Sequence, residues 1–185
     1  MPIIELSKFD VAERQLLQAI NMFFNGEDSV SIHTLSEAAS QVLYDIGGKD
    51  WSTVRDNDYI KEEKKEIWLQ YLFKSRNFFK HADRDKNKTH EFNSELNNFS
   101  LLEAANMYTH LKKKWVPESL MFHAWFAIEY PELIREGTEV HKLYVSGENG
   151  GFLPDPKNKT LMYEFIQNMR NGINVIPNVS LEYGL

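Results

Sequence analysis

Cysteine is absent from the 185 residues, so no disulfide framework, thiol nucleophile or thiolate metal site can be built from this chain. Long apolar runs are missing as well. Met1 to Asp10 has no basic flank followed by an apolar core, and no membrane span or secretory signal is expected. The expectation is a cytoplasmic protein, in which the Asn-x-Ser/Thr matches at Asn87, Asn98, Asn158 and Asn178 are chance. No Gly-x-Ser-x-Gly elbow and no His-Glu-x-x-His pair occurs. Gly47-Gly48-Lys49 and Gly147-Glu148-Asn149-Gly150-Gly151 read as turns, because no strand leads into either. Positive charge is also short: 21 Lys plus Arg stand against 27 Asp plus Glu, a formal net charge of -6. Any contact with nucleic acid must therefore come from a local patch.

What is present is globular in composition, with 42% hydrophobic, 13% aromatic and 26% charged residues. A chain of this length buries about two-thirds of its unfolded surface and needs no staple. The patterning predicts an all-α fold of four to six helices, with 1–185 as a single domain, 9–115 as a helical bundle core and 116–185 as a helical or irregular C-terminal extension. Phe9, Ala12, Leu16, Ile20 and Phe23 form one stripe over Phe9 to Asn25. Ile32, Leu35, Ala38 or Ala39, Val42 and Ile46 form the next, capped by Ser29 or Ser31 and ended by Gly47-Gly48. Residues 49–60 read as a connector. A third helix is expected from Lys61 to about Ala82 and a fourth from Phe92 to Lys114. Pro117 then opens an aromatic helix that Pro131 ends. Gly137 to Asn158 reads as irregular, Val140 to Val145 or Val175 to Leu181 as a short strand, and Thr160 to Arg170 as a last helix.

Lys74 to Lys88 is the most informative segment. It holds six Lys or Arg against two Asp in an otherwise acidic chain. Lys74, Lys80, Arg84 and Lys86 are candidates to attract an RNA backbone. Asn77 and His81 are four apart and share a helical face, whereas Arg76 and His81 are five apart and point about 140° away from each other on a straight helix. A bend near His81, or two copies packed about a two-fold axis, would bring them to one phosphate. The chemistry of such a set is metal-free RNA cleavage. His81 moves the proton, Arg76 neutralises the phosphate, Asn77 orients, and the 2'-hydroxyl attacks. The same residues also have plain structural uses: Arg76 and Lys80 as a solvated helix face, His81 as a cap favoured by the helix dipole.

Arg76, Asn77 and His81, followed by the small Ala82, resemble the motif of the HEPN superfamily, in which Arg is followed four to six residues later by His and often directly by a polar residue. The resemblance spans about residues 9–115. It implies a helical bundle, frequent dimerisation across the motif and, where the motif is intact, a metal-independent RNase. The expected function is therefore an endoribonuclease of that type without a cofactor, acting as a homodimer on RNA. The alternative is a non-catalytic helical module that binds a partner protein or RNA.

Other motifs are weaker. Asp83-x-Asp85-x-Asn87 begins like a calcium loop, but Lys88 and Ser94 stand where Gly and Glu are needed. The six histidines, among them His33, His90, His110 and His141, form no tight ligand pair. His123, beside Phe122 and Trp125, reads as a hydrogen-bonded core histidine, and Trp115, Phe122, Trp125, Phe126 and Tyr130 as core by default, with a subunit interface or a ligand pocket as the alternatives.

Overall fold

The structure, a computed structural model, describes residues 3–55, 61–81, 83 and 86–173. Among these residues there are eight α-helices and no strand: α1 (Lys8–Phe24), α2 (Ser29–Asp45), α3 (Lys65–Leu72), α4 (Lys74–Lys80), α5 (Leu96–Lys112), α6 (Pro117–Glu129), α7 (Glu139–Gly150) and α8 (Lys159–Arg170). The all-helical expectation holds, with more and shorter helices than the four to six expected. None is long and apolar enough to cross a membrane.

Local chemistry sets the helix starts. Ser7 and Asp10 form a reciprocal capping box on α1. Asp28, rather than Ser29 or Ser31, caps α2 by accepting the Ser31 N–H at 2.7 Å. Pro117 occupies the first turn of α6, as its fixed φ favours. α1 packs on α2, α2 on α5, and α6 on α5, α7 and α8. Ala12, Leu16, Ile20, Phe23, Leu43, Leu101, Tyr108, Phe122, Phe126, Met162 and Ile166 form one continuous core.

Three expectations are corrected. The helix expected from Lys61 to Ala82 is a short 3-10 turn, Glu62–Lys64, followed by two helices that break at Phe73 (φ -92°, ψ 6°). The break separates α3, which buries no residue, from α4, which turns Ser75 inward. The helix expected from Phe92 begins at Leu96, because Phe92 instead packs its ring on Phe79 at 5.2 Å and on His33 at 5.0 Å. Finally, within the stretch Gly137 to Asn158 expected to be irregular, Glu139–Gly150 is a helix, and Val140 to Val145 is not a strand. Thr138 caps α7 by accepting the His141 N–H at 3.2 Å. Gly151, with φ 67°, closes α7: its N–H reaches the Glu148 carbonyl and the Phe152 N–H the Gly147 carbonyl. The glycines fit this helix because the chain folds straight back on it. A Cβ on Gly147 would meet the Leu153 side chain, and one on Gly150 the Phe152 ring. The other candidate strand, 175–181, lies outside the described residues.

Candidate functional site

α4 is only seven residues long, and its faces are committed differently. Arg76 points toward α2. Its Nη1 donates to Gln41 Oε1 at 3.0 Å and lies 3.9 Å from Glu37 Oε2. The guanidinium covers the Phe73 ring at 3.7 Å. The Arg76 side chain is 16% exposed and that of Glu37 is 9% exposed, so this contact is largely withdrawn from solvent. Burial holds the guanidinium below its ordinary pKa, against the opposing pull of Glu37. Lys74, Asn77 and Lys80 are exposed, as is Lys86 beyond the helix. Lys80 is lowered first by burial and then by repulsion from Arg76. His81 ends the helix (φ -121°, ψ 64°), with its N–H on the Asn77 carbonyl at 3.1 Å. Its half-buried ring makes no hydrogen bond among the described residues. Arg84 lies outside the described residues.

Arg76 is one member of a polar cluster that the sequence did not assemble. Gln41 Oε1 also accepts from Arg55 Nη1 at 3.1 Å, and Arg55 Nη2 donates to Ser40 Oγ at 2.7 Å. Arg55 Nε stands 3.8 Å from Glu103 Oε1. Glu103 Oε2 accepts the backbone N–H groups of Thr53 at 2.7 Å and Val54 at 2.9 Å, and its other oxygen accepts from Ser52 Oγ. Glu37 Oε1 accepts from Ser100 Oγ at 2.8 Å. His33 is bonded through Nδ1 to Asn97 Oδ1 at 3.0 Å, and burial lowers its pKa although the Glu37 charge opposes the shift. Beside these groups lies a cavity of about 30 Å³ bordered by His33, Glu37, Arg55, Phe73 and Glu103. It is the size of a single water and too small for a phosphate ester.

The cluster pairs two guanidinium groups with two carboxylates, and its hydrogen bonds tie α2, α4, α5 and residues 52–55 together. Its sequence signals were there in retrospect. His33, Glu37 and Gln41 recur every four residues along α2, beside the apolar stripe. Glu103 is a lone acid in Leu101-Leu102-Glu103-Ala104-Ala105, where a buried carboxylate requires a partner. Asn77 and His81 are four apart as expected, but Arg76 is turned to a different partner set. Among the described residues no three His, Asp or Glu side chains gather as a metal-binding group. Family models, curated proteins and solved structures contain no match to this chain.

Proposed function

We propose that the chain is a non-catalytic helical module that binds RNA by its phosphate backbone, on the surface that carries Lys74, Asn77 and Lys80, with Lys86 beside it. The observation that supports this is the placement of Arg76. A phosphate clamp must present its donors to the ligand, and this guanidinium is 16% exposed, donates from Nη1 to Gln41 beside Glu37, and lays its face on Phe73. The lysines left exposed supply a positive field. Backbone binding of this kind is salt-dependent and weakly selective. The HEPN-type nuclease is the second reading, favoured by the His81 ring, four residues from Asn77 and without a hydrogen-bond partner among the described residues. It requires Arg76 to leave Gln41, or a homodimer whose two copies share one groove.

One experiment separates the two. A labelled single-stranded RNA is titrated with protein in excess EDTA, reading anisotropy for binding and a gel for cleavage. The expected result is binding without cleavage. In Lys74→Glu/Lys80→Glu, binding should weaken at least tenfold and the log–log salt slope should shrink by about 1.4, for two lost phosphate contacts on a single strand. Cleavage that survives EDTA and disappears in His81→Ala would restore the nuclease. An affinity unchanged in the double variant would sink the assignment of this surface.

A further inference from the structure

A cavity of about 780 Å³ opens between α5, α6 and the start of α7, away from the α4 surface and sharing none of its residues. Its volume falls in the range of small-molecule sites. The body of the cavity is apolar, lined by Phe99, Leu102, Trp115, Phe126, Ile134 and Val140. The charge is at the mouth: Lys113, Lys114 and Arg135 border the cavity and are exposed. None of the three has an ion-pair partner among the described residues. The one carboxylate in the described lining, Glu139, is already paired with Lys142 Nζ at 3.0 Å. The two lysines also complement the negative end of α5, but Arg135, in the segment between α6 and α7, has no such use.

Two buried polar side chains, His123 and Thr109, also line the cavity. His123 is buried, and its Nδ1–H donates to the Ser119 carbonyl at 2.7 Å. Burial pushes its pKa down to about 4, so the ring is neutral at pH 7. The buried Thr109 hydroxyl has no hydrogen-bond partner among the described residues. Backbone conformation adds to the case. Lys113 is the one non-glycine residue with positive φ among the described residues, at 57°, where glycine or asparagine is the usual choice. Glycine would relieve this conformation and leave no side chain at the mouth.

We propose that this cavity binds a small amphipathic anion, with its apolar body among Trp115, Phe126 and Val140 and its acidic head group between Lys114 and Arg135. The proposal is independent of RNA binding at α4. It predicts selectivity by head-group charge at a constant tail, because a merely greasy cleft would accept any tail.

The test uses the full chain and anilinonaphthalene sulfonate as fluorescent probe, displaced in turn by decanoate, decyl phosphate, decanol and decyltrimethylammonium. Decanoate or decyl phosphate should compete at least tenfold better than decanol, with the cation weakest, and the ratio of the two anions names the preferred head group. Lys114→Glu/Arg135→Glu, both at exposed positions, should weaken the anions at least tenfold and leave decanol unchanged. Val140→Trp should fill the cavity and remove probe binding, with the far-UV circular dichroism unaltered. Equal competition by the alcohol and the cation, anion affinity unchanged on charge reversal, or a probe signal that nothing displaces would each overturn the proposal.

Discussion

Toward α1, α6 and α8 the interior is ring against ring: Phe23 meets Trp125 at 4.7 Å and Phe122 at 5.6 Å, and Phe126 meets Tyr130 at 4.8 Å. Toward α4 and residues 52–55 a comparable depth is filled by charge, with Arg55 and Glu103 only 7% and 4% exposed in their side chains. α2 and α5 serve both regions, each with one face to the rings and another to the ions. The aromatic side is held by non-directional burial and tolerates imperfect geometry. The charged side is held by directional bonds, and a group left without one there is costly, as for His33 Nε2 and Glu37 Oε2, which have no hydrogen-bond partner among the described residues. Arg76 has the strongest chemical credentials in the sequence, and it sits on the side where a guanidinium is consumed as structure.

The comparison can be broken by substitution on each side. The largest effects are expected from Phe122→Ala and Glu103→Ala, each destabilising by about 3–5 kcal/mol in urea denaturation, the first through a cavity and the second through a stranded Arg55 and bare N–H groups of Thr53 and Val54. The two sides should also differ in whether paired replacement is tolerated. Replacing Glu37 and Arg76 together by Leu and Met should cost within about 1 kcal/mol, because a buried ion pair is often matched by apolar residues of similar volume. No second substitution should repair Phe122→Ala. A double variant as unstable as Glu103→Ala would mean that the charged side contributes net stability rather than only specificity.

A smaller effect lies on the pH axis. His123 is neutral in the folded state, with its pKa lowered from 6.5 to about 4, so the unfolded chain binds its proton first as the pH falls. Its contribution is fully present above pH 6.5 and lost on the way down to pH 4, about 3 kcal/mol in all. The difference in unfolding midpoint between wild type and His123→Phe should therefore vary over that window and be constant above it. A difference that does not vary with pH would show that the imidazole is accessible to water.

The smallest effects are at the periphery of both regions. Ser7→Ala removes the capping hydroxyl of α1 and should cost about 1 kcal/mol. Lys142→Ala removes an exposed pair with Glu139 and should cost less than about 0.5 kcal/mol.

Much of the helical frame was legible in the residues. The stripe from Ala12 to Phe23, the stop at Gly47, the start at Pro117 and the last helix near Thr160 to Arg170 are local matters of periodicity and capping, decided within one or two turns. Local preference and tertiary packing disagree in α7. Gly147 and Gly150 discourage a helix in isolation, and only the Leu153 and Phe152 side chains folding back on them make small residues useful there. The candidate site was legible in composition and not in direction. A basic segment could be read from Lys74 to Lys88, but the orientation of each side chain depended on what stood opposite.

By itself, then, the sequence determined the secondary-structure class, the apolar stripes, the absence of thiol chemistry and the presence of a basic island, because each of these depends on residue types and short spacings. Only the tertiary structure decided that Arg76 meets Gln41 and Glu37, that Arg55 meets Glu103, and that Lys114 and Arg135 border one largely apolar cavity. The physical reason is distance along the chain. Arg76 and Gln41 are 35 residues apart, and Thr53 and Glu103 are 50 apart. No periodicity reports which polar groups will be paired once such segments are brought together and water is removed between them.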